Sequence, residues 1–587
     1  MYKNLKGLFL LLNFILFSTV YTINAVSCKD IIACGDATDG DYNLLLKIRD
    51  PSRPGLQVLT KVPYRYSYTY THPWSGKPMF FTVNHSYIGV VTLGDTIPST
   101  VKPGMLFTDA GLAYGDADTM SNWVNPSKFA WDDFDWLRYS AEQASNLSEA
   151  VRLLTVDVVD CLHAPGVSEN LFVVGSEGAV IIEADAYRYS VESFTNGVRV
   201  RSNYPVELWC TQIHKCLPVA LSYDYSVERM VKPGDVIHLG SLFGVRITRV
   251  TPTSITVRQV PFLKYNERLV IIGKPVVIPL REHRPVGDFD VFFIDYLPDA
   301  GALVKVRTYV KAWEEEVLGR LNSRYGSLNI TDFMGISRLH SEDLSYLRGL
   351  CEDRFIYEGA MIYQIPRVNA DLFSVGWFSA GHACSSIYVP VHVVDEDVYA
   401  PYTNGEAANL SLTLSSVYSH GALTSVFRRV EEVFIGECRR VEGLAKMYID
   451  QPCIVKSLFT ISDTGMQRQA YLTERFYLEY AHTSSLHLTC KDELMLTSDL
   501  WGEGYLDSLD NMRSLASGLY GNPAYIGLVD TLIDIGLSIG MTRVMLSRVI
   551  QPSFFIQDLY VQAEYALANY DIETGFTLLK FLVAYTS

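Results

Sequence analysis

Residues 28 to about 225 alternate short β-like runs with turns, and this alternation constrains the fold more than any other feature of the chain. The runs are rich in Val, Ile, Phe and Tyr, as strands are, and they include KDIIAC, YNLLLKI, FFTVN, YIGVVTL, LFVVG, GAVIIEA and RYSVESF. Helical spacing of apolar residues interrupts them at 134–141, and Ser148 is the expected N-cap of a second helix over 149–159. Strands, then helices, then strands again predict an α+β layer fold.

The remainder of the chain divides into three further segments. Residues 226–325 form short β-like runs with turn dipeptides such as Pro-Gly and Thr-Pro, which indicates a β-rich insertion. Residues 326–405 contain more strand-like runs and are expected to return to the core built by 28–225, whereas 406–587 are mainly helical in pattern. The 587 residues, 48% hydrophobic and 19% charged, suffice for about three or four domains with a large core.

Residues 1–27 have the parts of a secretory signal peptide. Two lysines precede an apolar run over 7–20, and small residues occupy the −3 and −1 positions for a cleavage that leaves Cys28 first. We therefore expect a protein that is secreted or held at the extracytoplasmic cell surface. Two alternatives stay open: a retained N-terminal anchor helix, and a lipoprotein signal that places a lipid on the Cys28 thiol.

Charge and cysteine usage limit the partners. The net charge is −16 without a block of Lys or Arg, so nucleic acid is not an expected partner, and membrane contact is expected only through export or a lipid anchor. The ten cysteines form no CxxC pair and no Cys/His spacing typical of zinc, so neither a metal nor a cofactor is expected. Cys210 and Cys216 are close enough in sequence for a small loop disulfide. The oligomeric state stays open.

An N-terminal cysteine carries a thiol and a free α-amine on one residue. The thiol has an ordinary pKa of about 8.5 and the amine one of about 7.7–8.0, so near neutral pH the amine can take the thiol proton, directly or through one water. The site also needs an acceptor that orients the amine, for which Asp50 is a candidate. Asn side chains are candidate donors to the oxyanion of the tetrahedral intermediate.

Seven stretches in order along about 175 residues carry a resemblance to a known family. CKDII, ATDGD and LLLKIRD open the segment, and FFTVNHSYIGVV with Asn84, QASNLSEAVRLL, SEGAVIIEA and VRSNYP with Asn203 follow. In this order they resemble the N-terminal nucleophile (Ntn) hydrolases of the linear-amide type. That family includes secreted dipeptidases, bile salt hydrolase, penicillin V acylase and the isopenicillin N acyltransferase-like enzymes.

The resemblance implies a fold and a set of roles. The fold is an αββα sandwich of two antiparallel sheets between helices. Cys28 is the nucleophile and its α-amine the base, and Asp50 holds that amine and thiol. Asn84 contributes its side chain to the oxyanion hole with a nearby backbone N–H, and Asn203 holds the α-amine or the substrate carbonyl.

Two lysines, Lys47 and Lys29, depart from the family pattern. Lys47 stands where many relatives have an arginine, and lysine supplies charge without the planar fork of arginine. Arg49 shares a strand face with Lys47 and faces opposite Asp50, so the cationic role stays open between the two. Lys29 replaces the usual threonine and places a long charged side chain beside the nucleophile.

Other patterns favour different readings. Cys161 with His163, and His382 with Cys384, are each compatible with a Cys/His protease, although no family signature surrounds either pair. The carboxylates of DDFD at 132–135 suit the first turn of a helix better than a metal site.

The sequence thus predicts an exported hydrolase that cleaves a linear amide bond of a small molecule or short peptide through an acyl-thioester. Signal peptidase or self-cleavage would expose Cys28. Two alternatives remain: a cell-surface binding protein that keeps the Ntn scaffold with a degenerate site, and a phospholipase B-like enzyme that acts on acyl esters.

Overall fold

The computed structural model describes residues 28–51, 54–97, 101–119, 121, 123–208, 226–239, 243–261, 264–265, 268–269, 274–287, 289–345, 347–352, 356–483, 490–550 and 554–586. The predicted leader 1–27 and the Cys210–Cys216 loop lie outside these ranges.

Two antiparallel sheets form the centre of the molecule. One has six strands in the order β12-β1-β2-β23-β24-β25, and the other has seven in the order β11-β10-β9-β8-β7-β6-β3. The strands of the first sheet are β1 (Lys29–Cys34), β2 (Tyr42–Arg49), β12 (Gly197–Ser202), β23 (Gly359–Pro366), β24 (Val375–Ser379) and β25 (Val389–His392). Those of the second are β3 (Gln57–Val62), β6 (Tyr87–Thr92), β7 (Pro103–Thr108), β8 (Leu112–Thr119), β9 (Ser168–Gly175), β10 (Gly178–Ala184) and β11 (Tyr189–Phe194). Strands β4 (Ser67–Thr71) and β5 (Pro78–Thr82) form a separate hairpin.

The two sheets pack face to face. Leu45 of β2 and Phe172 of β9 belong to one continuous apolar core, whereas the next residue, Val173, belongs to a second core on the other side of its sheet. This change of side from one residue to the next is the period-two alternation of a strand that is buried on both faces.

Helices cover both outer faces. Helices α1 (Asp133–Gln143) and α2 (Leu147–Arg152), with a π-helical segment Leu153–Cys161, pack on the second sheet. Helices α3 (Tyr309–Asn322) and α4 (Ile330–Ser337) pack on the first. The described chain is therefore an α+β protein in four layers, with helix, sheet, sheet and helix in that order.

The helix starts follow from side-chain caps. Asp132 caps α1 by accepting the backbone N–H of Asp135, so the carboxylates of DDFD do form the start of a helix. The second helix begins earlier than expected, because Asn146 and not Ser148 accepts the N–H of Glu149. The predicted cap at Ser148 is therefore wrong by two residues, since either polar side chain suits that position in isolation.

The β-rich segment after 225 has a core of its own. Its strands are β13 (Ser226–Val231), β14 (Val236–His238), β15 (Phe243–Val250), β16 (Ser254–Pro261), β17 (Lys264–Tyr265), β18 (Arg268–Leu269), β19 (Val276–Pro279), β20 (His283–Val286), β21 (Phe289–Leu297) and β22 (Gly301–Thr308). Their apolar side chains form a separate buried cluster. Helix α3 follows β22 directly and returns to the sandwich, where Trp313 is fully buried.

The C-terminal part is helical. After the short helices α5 (Ala370–Phe373) and α6 (Pro401–Asn404) come α7 (Glu406–Val417), α8 (Thr424–Ala445), α9 (Pro452–Thr483), α10 (Cys490–Leu519), α11 (Ile526–Ile550), α12 (Phe554–Ala568) and α13 (Ile572–Thr586). Helices α8 and α9 pack against the edge strand β25. Among the described residues, no helix combines the length and apolar character that a membrane span needs.

Candidate active site

Cys28 lies immediately before β1, an inner strand of the first sheet, and is half-buried. The hydroxyl of Ser202, at the end of the neighbouring β12, donates to the Cys28 carbonyl at 2.6 Å. On the other side, the backbone N–H of Asp50 donates to the Cys28 sulfur. Residues at the ends of β12 and β2 therefore hold Cys28, the residue that precedes β1.

The face of β1 and β2 that points at the second sheet carries a buried lysine among carboxylates. Asp30 and Lys47 stand opposite each other in the β1–β2 register, with Lys47 Nζ 3.4 Å from Asp30 Oδ2. Lys47 Nζ also lies 3.3 Å from Asp116 Oδ1 on β8 and donates to the Asp116 carbonyl. Gly115 permits this approach, because a Cβ there would lie 2.7 Å from Asp30 Oδ1.

The opposite face of the same two strands carries a second buried lysine. Lys29 Nζ lies 2.5 Å from Asp50 Oδ2 and 3.1 Å from Glu352 Oε1. The charge of Lys29 therefore points away from the side chains of Asp30 and Lys47. Asp50 Oδ1 accepts no hydrogen bond from the described residues.

Burial dominates the ionisation of this site. It raises the pKa of the Cys28 thiol to about 11, against the lowering effect of Lys47 and with a further rise from Asp50 and Asp116. Burial also raises the pKa of Asp30 to about 8, although Lys47 opposes it. Burial would lower the pKa of Lys47, but Asp30, Cys28 and Asp116 hold it well above its ordinary value. At neutral pH the thiol therefore keeps its proton unless a base takes it.

Arg49 lies on the same strand face as Lys47, as the alternation of β2 predicts. Its guanidinium donates to Gln57 Oε1 at 2.7 Å and lies over the Phe134 ring, 5.1 Å from the centroid. Gly104 on β7 accommodates it, since a Cβ there would lie 2.6 Å from Arg49 Nε. The positive charge that lowers the pKa of the Cys28 thiol comes from Lys47.

Asn203 lies beside the start of β1. It follows Ser202, which bonds Cys28, and its side-chain amide donates to the Asp118 carbonyl at 3.0 Å. Asn203 therefore ties the end of β12, next to Cys28, to the end of β8 in the second sheet.

The structure does not bring Asn84 to Cys28. Asn84 lies in the turn before β6, where its amide donates to Gln143 Oε1 at 2.7 Å. The other end of β6 pairs with Gln57, the partner of Arg49. The whole of β6, roughly 16 Å from Tyr87 to Thr92, separates Asn84 from that end. The expected oxyanion role of Asn84 therefore has no support here, and its contacts are those of a turn residue.

Asp116, a carboxylate that the sequence analysis did not select, acts on the thiol and lies among further carboxylates. Burial raises the pKa of Asp116 on β8, and it raises those of Asp133 and Glu169 well above their ordinary range, with Asp116 and Asp118 contributing to both. The available signal was Asp116 in the run LAYGDADT, which is buried from Leu112 to Ala117. A strand that buries a carboxylate on a packed face needs a reason other than packing.

The comparisons with known proteins add little to this picture. No family model matches the chain, and no curated protein matches it. Among solved structures, a mutant conjugated bile acid hydrolase from Clostridium perfringens matches with 10% identity and a TM-score of 0.30, over 63% of this chain and 90% of that one. Penicillin V acylase from Agrobacterium tumefaciens matches with 12% identity and a TM-score of 0.24, over 32% of this chain and 58% of that one. Similarity at this level establishes no shared activity.

Proposed function

We propose that this chain is an exported hydrolase of linear C–N amide bonds, built on an Ntn-type sandwich, with Cys28 as its N-terminal nucleophile. The observation that carries the proposal is the place of Cys28. It stands immediately before an inner strand of one of two stacked antiparallel sheets, with Lys47 acting on its thiol. Cleavage after Ser27 would put a free amine at the same point.

In this proposal the α-amine of Cys28 supplies the base that the buried thiol needs. A thiol with a pKa near 11 is a weak nucleophile at neutral pH, so it needs a base at the moment of attack. The α-amine of Cys28 takes the thiol proton as the sulfur attacks the substrate carbonyl. It then gives that proton to the departing amine, which breaks the C–N bond and leaves an acyl-thioester. Water, deprotonated by the same amine, hydrolyses the thioester and restores the thiol.

The neighbouring groups have distinct roles in this proposal. Asp50 Oδ1 accepts no hydrogen bond from the described residues and lies beside Cys28, so it is the acceptor proposed for the new ammonium. Lys47 supplies the positive charge that favours thiolate and oxyanion. Asn203 is a positioning residue, which holds the end of β12 against β8.

One observation favours a second candidate function, a binding protein with a degenerate site. The carboxylate of Asp116 raises the pKa of the Cys28 thiol and so opposes negative charge there. A site with this charge can bind a cationic or amine-bearing ligand but stabilises an oxyanion poorly.

The experiment is a substrate panel on the purified, processed chain. Matched N-acyl amides, dipeptides and acyl esters are compared for wild type, Cys28→Ser, Cys28→Ala and the control Cys34→Ala. Cys34 is a buried thiol on the same strand and the same strand face as Cys28. We expect amide hydrolysis that Cys28→Ala lowers by at least about 10³-fold and Cys34→Ala leaves unchanged.

The other outcomes of the panel distinguish the alternatives. Ester hydrolysis without amide hydrolysis indicates the phospholipase B-like enzyme. Binding without turnover, unaffected by Cys28→Ala, indicates the binding protein. Equal loss in the Cys28 and Cys34 variants would mean that the substitutions act through folding, and circular dichroism of both variants checks this.

A further inference from the structure

Two cysteines and two histidines meet behind the candidate active site, and we propose that they bind one zinc ion. The four are His340, Cys351, His382 and Cys384. Cys351 Sγ lies 3.6 Å from Cys384 Sγ and 3.7 Å from His382 Nδ1. The ligand atoms fall into two groups that share Cys351: His340, Cys351 and Cys384 lie within 4.8 Å of one another, and so do Cys351, Glu358 and His382.

These separations suit a tetrahedral metal. Two thiolates that bind zinc at about 2.3 Å stand about 3.8 Å apart along a tetrahedral edge, and a thiolate–imidazole edge is slightly shorter. The Cys351–Cys384 and Cys351–His382 distances both match such edges. Two thiolates also neutralise the charge of the ion, and Cys₂His₂ is a common structural zinc set.

Burial distinguishes this cluster from a chance meeting of polar side chains. His340, Cys351, His382 and Cys384 are exposed by 8%, 1%, 4% and 7% respectively, so water reaches none of them freely. Three separate chain segments supply the ligands: the loop after α4, the segment before β23, and the turn between β24 and β25. Apolar packing alone would place aliphatic residues here.

The surroundings hold the ligands in place. Arg338 donates from Nε to the Ala383 carbonyl at 2.7 Å and from Nη2 to the Ser386 carbonyl at 3.1 Å, which fixes the turn that carries His382 and Cys384. Glu358 Oε1 lies 3.6 Å from His382 Nδ1, the same nitrogen that faces Cys351 Sγ, so this carboxylate is a further candidate ligand on that side of the cluster.

The cluster connects to the candidate active site through adjacent residues. Glu352 follows Cys351 directly and pairs with Lys29, which in turn pairs with Asp50. The backbone N–H of Glu352 donates to Glu358 Oε2 at 3.1 Å, which ties the residue after Cys351 to the residue before β23. The metal would therefore hold the carboxylates behind β1, which is a structural role and does not depend on the proposed hydrolase.

A small pocket borders the cluster. It is lined in part by Gln57, Glu358 and His382, and its volume of about 10 Å³ is about the room that one water needs.

The chief alternative is a disulfide between Cys351 and Cys384, because the chain is expected to be exported to a compartment that permits one. A disulfide would use both thiolates and abolish metal binding. Metal content and intact mass therefore give opposite results for the two cases.

The test is metal analysis of the full chain, purified without chelator. We expect about one zinc per chain by elemental analysis, with both thiols reduced by intact mass. Cys384→Ser and Cys351→Ser should lower the zinc content at least about tenfold, and His382→Ala should weaken binding while keeping both thiols. Cys438→Ser is the matched control, since Cys438 is a buried thiol on α8 outside the cluster, and it should keep its zinc.

A second measurement covers variants that fail to fold. Wild-type chain stripped with a chelator is titrated with Co²⁺, and a thiolate-to-cobalt charge-transfer band is expected to saturate at one equivalent. The proposal is overturned by a metal-free chain with a Cys351–Cys384 disulfide, by zinc that persists in the folded Cys384→Ser variant, or by cobalt without the thiolate band. None of these readouts uses catalytic activity, so the metal site and the hydrolase can fail separately.

Discussion

The two faces of the β1–β2 hairpin are alike in charge and different in surroundings. Each buries one lysine among carboxylates: Lys47 with Asp30 and Asp116 on one face, and Lys29 with Asp50 and Glu352 on the other. The first face lies against the second sheet, and its lysine acts on the Cys28 thiol. The second face lies against the segment that contains Cys351, and its lysine pairs with the carboxylates of Asp50 and Glu352.

This difference assigns the two lysines to different tasks. A buried ion pair contributes little net stability over an apolar pair, so one that persists has another reason to be present. On the face that carries Lys47, here called the inner face, we propose that this reason is the positive charge at the Cys28 thiol. On the face that carries Lys29, the outer face, it is the connection between β1 and the carboxylates of Asp50 and Glu352.

The largest effect on activity should come from breaking the inner face. Lys47→Met removes the cation that favours the thiolate, and we expect kcat/KM to fall by about 10²–10³-fold. The thiol pKa should rise further, so alkylation of Cys28 by iodoacetamide at constant pH becomes slower. Lys47→Arg keeps the charge and should retain much of both. Unchanged alkylation in Lys47→Met would show that this lysine does not act on the thiol.

The largest effect on stability should come from breaking the outer face. Lys29→Met leaves Asp50 and Glu352 buried without their cation, which costs about 3–5 kcal/mol in comparable buried pairs. Thermal melts and denaturant midpoints check this. Arg152→Met is the control, because its pair with Asp157 is exposed and should be worth at most about 1 kcal/mol. Equal melting temperatures for both variants would remove the distinction between the two faces.

A smaller effect on kcat/KM is expected to distinguish Asn203 from Asn84. Asn203→Ala removes the bond to the Asp118 carbonyl beside Cys28, and we expect kcat/KM to fall by about tenfold. Asn84→Ala breaks a contact with Gln143 at the far end of β6 and should change kcat/KM by less than about twofold. The reverse ranking would place the oxyanion donor at Asn84 after all, and would require the turn before β6 to move toward Cys28.

The smallest expected effect is a change of the melting temperature with pH. The pKa of Asp30 is raised to about 8 in the folded chain and is about 3.9 in the unfolded one, so the folded state holds more protons between these values. The contribution of Asp30 to stability is therefore full below about pH 4 and is lost as the pH rises toward 8. We expect the melting temperature to fall by about 2 °C per pH unit over that window, and less in Asp30→Asn. An equal slope in the variant would assign the effect to other carboxyl groups.

Local patterns predicted the parts of the molecule that depend on local physics. Period-two alternation placed Lys47 and Arg49 on one face and Asp50 on the other, and the dipole argument placed DDFD at a helix start. The pairing of strands distant in sequence, such as β2 with β23, lay beyond that reasoning.

The failures share one physical cause. Asn84 lies in a stretch that fits the family pattern, but its distance from Cys28 depends on which end of β6 lies near Cys28. Likewise, His340 and Cys351 are far in sequence from His382 and Cys384, and only the packing of three segments brings their ligand atoms together. Sequence motifs for zinc sites detect ligands that are a few residues apart in the chain, so they do not detect these four residues.

The central claim is that Cys28 is a catalytic N-terminal residue. The most direct measurement is mass spectrometry of the N-terminal peptide after the exported chain is mixed with an amide substrate and quenched in acid. The account predicts a peptide that begins at Cys28 with a free amine and carries the acyl group of the substrate on its sulfur. A peptide that retains residues before Cys28, or a thiol that carries a lipid, would contradict it.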